Sequence, residues 1–159
     1  MWIVGDLEIW SILFCFESYL NIMNMGIVDW NAKYSVAVDS IDNDHKKLID
    51  LINQLFNAMT KGEGSKVLSP LVDELYKYTI YHFNREETYF RMTNYPNALQ
   101  HNQEHSMFIQ KVNEFKAKVS SGKLDFSPDM LNFLRDWLLH HITNVDAMYA
   151  EHFKKYGIK

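Results

Sequence analysis

Hydrophobic positions recur every three or four residues over four long stretches of the chain, and short polar segments separate these stretches. This spacing is typical of α-helices with one buried face, because a half-buried strand would alternate every second residue. Asp42 precedes most of the first stretch, and we expect it to cap that helix by accepting hydrogen bonds from the free N–H groups of the first turn. The expected buried face of this first helix contains His45, Ile49, Ile52, Phe56 and Met59.

The other three stretches have equally clear boundaries. The second is predicted to begin between Lys66 and Pro70, since a proline is tolerated in a first helical turn, and to end before Pro96. Its expected buried face contains Leu71, Leu75, Tyr78, His82, Glu86 and Tyr89. The third runs from about Leu99 to Val119. Its buried face contains His101, His105, Phe108, Val112 and Phe115.

The fourth stretch begins with Ser127 as the expected cap and Pro128 in the first turn. Its buried face is predicted to contain Phe133, Leu134, Trp137, Leu138, His141, Val145 and Met148. Four amphipathic helices with short connections predict an all-α fold, an antiparallel up-down-up-down four-helix bundle. An irregular N-terminal arm that includes Trp30 leads into the bundle, and the domain is expected to span residues 25–159.

Residues 1–24 are predicted to be a separate N-terminal extension. This segment contains no Lys or Arg, and its uninterrupted apolar part, IWSILFCF, is too short for a membrane span, which needs roughly 20 residues. It also lacks the positive start and the cleavage site of a secretory signal. Three interpretations remain: an amphipathic helix that docks on the domain or a partner, a weak interfacial anchor, or a segment absent from the mature protein. We favour the last, with translation beginning at Met23 or Met25.

The net charge bears on which partners the protein could bind, and the cysteine content bears on its compartment. The formal net charge is −4 and no basic run occurs, which argues against a nucleic-acid partner. The single cysteine, Cys15, excludes an internal disulfide and favours a reducing compartment such as the cytoplasm.

Each predicted helix places at least one histidine on its buried face. His141 lies four residues after Trp137 and continues the apolar face, whereas His140 groups with polar positions and is expected to be exposed. A single buried histidine is usually just hydrogen-bonded to a neighbour. Five clustered imidazoles would each need a partner, and an unpaired buried polar group costs about 1–3 kcal/mol. A metal would satisfy them together. The five are His45, His82, His101, His105 and His141.

The spacing and type of these groups favour a particular kind of metal site. HNQEH places His101 and His105 one turn apart on the same helical face, and HFNRE does the same for His82 and Glu86. Imidazoles and carboxylates without a thiolate suit iron, manganese or zinc. Five histidines exceed the four ligands of a structural zinc, so two metal ions with bridging carboxylates are predicted.

These motifs resemble the hemerythrin family, in particular the single-domain bacterial hemerythrins. The similarity extends from about Val28 to Lys159 and includes DSIDNDHKKL, YHFNREE, HNQEH and DWLLHHITNVD. The resemblance implies two iron ions joined by an oxo or hydroxo bridge. It further implies that His101, His105 and His141 hold one ion. His45 and His82 would hold the other ion and leave a vacant position on it for dioxygen. Glu86 and Asp146 would bridge the pair.

One implied ligand conflicts with helical geometry. Asp146 follows His141 by five residues, which places it about 140° away on an ideal α-helix. We therefore expect a local distortion of the helix there.

The dioxygen pocket should be apolar and dry, and Trp137, Leu138 and Ile142 resemble the pocket wall of the family, with Trp30 and Phe83 as further contributors. The acidic residues next to ligands are expected to point away from the site, with a low expectation of any supporting role. They are Asp44, Glu87 and Glu104.

The resemblance favours a non-enzymatic protein that binds dioxygen reversibly for storage, delivery or buffering. Three alternatives use the same irons: a sensor module read by a signalling partner, a peroxidase or nitric-oxide-scavenging enzyme, and an iron-holding role under stress. The partner expected besides dioxygen is an oxygen-consuming or signalling protein.

Overall fold

The computed structural model describes residues 26–121 and 127–159, and the regular structure within these ranges is entirely helical. The predicted four-helix bundle is confirmed. Its helices are α1 (Asp39–Thr60), α2 (Ser65–Thr93), α3 (Ala98–Ser120), α4 (Pro128–His140) and α5 (Ala147–Lys155). A π-helical segment, His141–Asp146, joins α4 to α5, so these three elements together form the fourth rod. The predicted extension over residues 1–24 lies outside the described residues.

The prediction that Asp42 caps α1 is wrong. The helix begins three residues earlier, at Asp39. The Asp42 carboxylate instead accepts hydrogen bonds from the Val36 N–H at 2.8 Å and from the Ser35 hydroxyl at 2.5 Å. Asp42 therefore fastens the N-terminal arm to the bundle. Periodicity within one helix does not reveal a partner that lies outside that helix.

The other helix starts agree more closely with the prediction. Ser127 accepts a hydrogen bond from the Met130 N–H and caps α4, as predicted. Helix α2 begins at Ser65, one residue before the predicted range, so Pro70 lies in its second turn rather than its first. Because proline has no N–H, one helical hydrogen bond is missing there.

The core consists of two parts, which we call the apolar cluster and the aromatic cluster. The apolar cluster occupies most of the bundle and includes Leu48, Leu75, Phe83 and Leu138. The smaller aromatic cluster contains Val36, Val38, Ile41, Phe90, Tyr95, Tyr149 and Phe153. Buried polar side chains lie between them: Phe83 stacks on His105 with ring centroids 3.6 Å apart, and Phe90 contacts His101 edge-on at 4.7 Å.

The predicted buried faces hold for α3 but not throughout the fourth rod. Every predicted face residue of α3 is buried. Met148, however, is 53 % exposed, and Tyr149 is fully buried in its place. The π-helical segment rotates the residues that follow it relative to a continuous α-helix, which explains the error. Within the described residues, no helix combines the length and the apolar character needed to span a membrane.

Candidate metal centre

Seven histidine, glutamate and aspartate side chains converge in the middle of the bundle, and each is at most 2 % exposed. Their ligand atoms form two groups in which all atoms lie within 4.8 Å of one another. One group consists of Glu86, His101, His105 and His141. The other consists of His45, His82, Glu86 and Asp146. The structure therefore brings together every ligand candidate named from the sequence.

Glu86 presents one carboxylate oxygen to each group. Its Oε2 atom lies 3.1 Å from His105 Nε2 and 3.7 Å from His101 Nε2. Its Oε1 atom lies 3.7 Å from His82 Nε2. A carboxylate arranged in this way can ligate two ions at once.

Asp146 is shared between the two sides in the same manner. Its Oδ1 atom lies 3.3 Å from His101 Nε2 and 3.2 Å from His141 Nε2. Its Oδ2 atom lies 3.2 Å from His45 Nε2. Two parallel carboxylate connections therefore join the histidines of one side to those of the other.

The π-helical segment explains how Asp146 reaches this position. A π-helical turn closes between residues i and i+5 rather than i and i+4. His141 and Asp146 are five residues apart and stand at the two ends of the segment. The helix distortion expected from the sequence is thus present, and it turns Asp146 toward the same interior as His141.

Most of the converging atoms lack a hydrogen-bond partner among the described residues. Both ring nitrogens of His45 and His101 are unpaired in this sense, and so are both oxygens of Asp146 and the Oε2 atom of Glu86. These atoms lie close together, yet their directions do not suit mutual hydrogen bonds. Unpaired buried polar atoms are costly, and cations placed among them would satisfy many at once. The donor set therefore fits metal ions.

The electrostatics of the centre keep its carboxylates ionised. Burial opposes ionisation, but the surrounding histidines hold the pKa of Glu86 and that of Asp146 below their usual values. Conversely, burial opposes the charged form of His101, but the nearby carboxylates of Asp146 and Glu86 raise its pKa to about 9. Burial dominates at His141 and lowers its pKa to about 4. Two buried carboxylates that resist protonation favour cation binding.

Comparison with known proteins decides the family. Residues 36–153 match the family described as the Hemerythrin HHE cation binding domain.

The chain belongs to the hemerythrin family.

Named relatives and solved structures agree with this assignment. Bacteriohemerythrin from Stenotrophomonas maltophilia is 31 % identical over 82 % of this chain and 84 % of its own length. Bacteriohemerythrin from Methylococcus capsulatus is 30 % identical over 79 % of this chain and 96 % of its own length. A crystal structure of wild-type hemerythrin superimposes with a TM-score of 0.75 at 28 % identity, covering 79 % of this chain and 96 % of that chain.

Three further carboxylates surround this hemerythrin-type centre, contrary to the expectation that they point away. Each lies beside the outer ring nitrogen, Nδ1, of a histidine on a different helix. The pairs are Asp44 with His82 at 3.5 Å, Glu87 with His105 at 3.4 Å, and Glu104 with His141 at 3.3 Å. A carboxylate in this position can orient the ring so that Nε2 faces the centre.

Asp44 is the most strongly fixed of these carboxylates. It accepts a hydrogen bond of 2.7 Å from the Tyr78 hydroxyl, and it forms an ion pair with Arg85, whose Nη1 atom donates to it at 2.8 Å. Arg85 also donates to the Ser40 carbonyl at 2.8 Å and pairs with the Tyr81 hydroxyl. Burial opposes the ionisation of Asp44, but His82, Tyr78 and Arg85 together lower its pKa.

Tyr149 was also missed by the sequence reasoning. Its hydroxyl donates a 2.5 Å hydrogen bond to Glu86 Oε1, and the side chain is fully buried. Tyr149 therefore orients the carboxylate that both sides of the centre share. Two spacings could have indicated it: Tyr149 follows Asp146 by three residues and Val145 by four, so it is one turn from each along the same helix.

A small apolar cavity of about 10 Å³ lies beside the centre, with room for one water-sized molecule. Its lining includes Leu48, Leu75, Thr79, Phe83, Trp137 and Leu138. Trp137 and Leu138, two of the residues predicted to form the pocket wall, line this cavity. Ile142 is buried in the apolar cluster but does not line this cavity, and Trp30 packs at the edge of that cluster.

Proposed function

We propose that this protein binds dioxygen reversibly at a centre of two iron ions. The observation that carries the proposal is the pair of overlapping ligand groups, which share the Glu86 carboxylate and contain different numbers of histidines. His101, His105 and His141 would hold one ion, and His45 and His82 the other. Glu86 and Asp146 would bridge them. When bound, two ferrous ions supply the two electrons that dioxygen draws on.

The unequal histidine count favours one place for dioxygen. The side with His45 and His82 has one protein ligand fewer than the other side, which leaves room for an external ligand there. The apolar cavity lies next to both sides: Leu48 and Thr79 are each three residues from a histidine of this side, and Phe83 and Trp137 stack on histidines of the other.

The surroundings suit a carrier better than an enzyme. The residues that line the cavity include no acid, no base and no thiol, so no side chain there can supply or remove a proton. Stacking of Trp137 on His141, with ring centroids 4.3 Å apart, helps to close the site to water. We propose a role in storage, delivery or local buffering of dioxygen, in a reducing compartment such as the cytoplasm.

An optical spectrum of the reduced, iron-loaded protein tests the proposal. We expect about two irons per chain, a colourless reduced form, a visible charge-transfer band after exposure to air, and loss of that band when dioxygen is removed. Rapid turnover of added peroxide, or an oxygenated form that decays within seconds, would indicate an enzyme instead. A protein that contains one zinc ion and does not respond to oxygen would contradict the proposal altogether.

A further inference from the structure

Thr79 is the one hydroxyl-bearing residue in the lining of the apolar cavity. It is 1 % exposed, and its hydroxyl has no hydrogen-bond partner within residues 26–121 and 127–159. A threonine within a helix ordinarily donates its hydroxyl to the carbonyl one turn earlier. Three other threonines of this protein do so, at 2.7 to 2.8 Å: Thr88, Thr93 and Thr143. Thr79 therefore differs from these threonines, because its hydroxyl makes no such bond to the helix backbone.

The position of Thr79 indicates what its unpaired hydroxyl could bind. Thr79 lines the cavity and lies one helical turn before His82 on the same face of α2. The other lining residues are aliphatic or aromatic, so the interior of the cavity offers the hydroxyl little else to pair with. A small molecule in the cavity would lie beside the hydroxyl of a residue that is one helical turn from His82.

We propose that Thr79 determines ligand specificity by donating a hydrogen bond to the small molecule that occupies this cavity. The hydroxyl favours diatomic ligands that can accept a hydrogen bond, such as dioxygen or nitric oxide, over gases of similar size that cannot. Its donation also slows the release of dioxygen. This inference rests on the proposed function, because it concerns the ligand of the same centre.

Two variants of the iron-loaded, full-length chain separate the hydroxyl from the shape of the residue. Thr79→Val keeps the shape and removes the hydroxyl, whereas Thr79→Ser keeps the hydroxyl. Measured by stopped-flow release of dioxygen, Thr79→Val should release about five- to tenfold faster than wild type, the equivalent of one neutral hydrogen bond. Thr79→Ser should stay within about twofold of wild type, because its donor is retained.

Thermal unfolding under anaerobic conditions gives a second readout that does not depend on dioxygen. Thr93 is 2 % exposed but donates to the Tyr89 carbonyl at 2.8 Å, so it provides a matched control. Thr93→Val should lower the Tm and leave the release rate unchanged. Thr79→Val should leave the anaerobic Tm equal to or above that of wild type, since the lost hydroxyl had no protein partner.

Two results would overturn the inference. One is unchanged dioxygen release in Thr79→Val. The other is a lower anaerobic Tm in Thr79→Val, which would show that the hydroxyl is bonded within the protein. Both leave the proposed function intact, whereas a wild-type protein that takes up no dioxygen would defeat the proposed function itself.

Discussion

The two sides of the metal centre are supported in different ways. On the three-histidine side, the carboxylates behind the rings are partly open to water: Glu87 is 26 % exposed and Glu104 is 29 % exposed. On the two-histidine side, Asp44 is only 4 % exposed and is held by both Tyr78 and Arg85. Asp44 is therefore the most firmly held of the three outer carboxylates, although the Nδ1 atom of His45 on the same side has no partner among the described residues. Support on the two-histidine side is thus concentrated behind His82, whereas on the other side it is divided between His105 and His141.

The largest expected effects, on iron content and on the visible band, come from removing one histidine from each side in turn. His82→Ala leaves His45 as the only histidine on its side, so we expect the iron content to fall from about two ions per chain to about one and the visible band to disappear. His101→Ala leaves His105 and His141 in place and should retain more iron. Iron analysis and the optical spectrum of the air-exposed protein measure both effects.

The exposed histidine that neighbours a ligand provides the control for this pair. His140→Ala should leave the iron content and the band nearly unchanged, because His140 is exposed and contacts Asn144 rather than the centre. If His140→Ala lost the band while His82→Ala kept it, our assignment of the inward face would be wrong.

Neutralising the outer carboxylates tests the difference in support directly. Asp44→Asn should weaken metal binding about 10- to 100-fold, the range typical of partners that orient a ligating histidine. Glu104→Gln should weaken it only a few-fold, since water already screens that contact. Competition with a chromophoric chelator for ferrous iron measures both affinities. Equal losses in the two variants would show that burial of the outer carboxylate does not matter.

Tyr149→Phe should affect both sides together, because its hydroxyl bonds to the shared Glu86. We expect about a fivefold loss of metal affinity, comparable to one hydrogen bond. Tyr156→Phe is a matched control, as Tyr156 is 57 % exposed. A change confined to one of the two iron ions would argue against Glu86 as the shared ligand.

The smallest effect concerns the pH dependence of the chelated, metal-free chain. His101 has a pKa of about 9 when folded, compared with an ordinary value of 6.5. Its proton therefore contributes stability that is complete below pH 6.5 and is lost as the pH rises through 9. The Tm of the chelated chain should fall across this window, and His101→Gln should flatten the fall. A Tm that rises across the window would contradict the sign.

The helices and the inward histidines could be predicted because both depend on the spacing of residues along one helix. His45, His82, His101, His105 and His141 all follow the period of their own helices. The supports of the site could not be predicted in this way. Asp44 on α1 contacts His82 on α2, and Glu104 on α3 contacts His141 on the fourth rod. The spacing of residues within one helix does not reveal such contacts with another helix.

The unpaired hydroxyl of Thr79 was beyond sequence reasoning for a different reason. Its spacing from Leu75 and His82 agrees with a buried position, but its missing hydrogen bond depends on a side-chain rotation that no residue spacing reveals. The exposure of Met148 and the burial of Tyr149 could not be predicted for a related reason. Both depend on how far the π-helical segment rotates the residues after it, which the spacing of residues does not give.

The π-helical segment accommodates one residue more than an α-helical turn would hold at this point. If the segment became a regular α-helix with the same number of residues, Asp146 would lie about 140° from His141 and would leave the centre. Tyr149 and Phe153 would then turn out of the aromatic cluster. Loss of one residue between His141 and Asp146 would instead leave a spacing of four, which keeps both side chains on one face of an ordinary α-helix. The fourth rod can thus shorten by a residue here only if its π-helical turn becomes an α-helical one, whereas the turn at Lys61–Gly64 can change length without turning any ligand away.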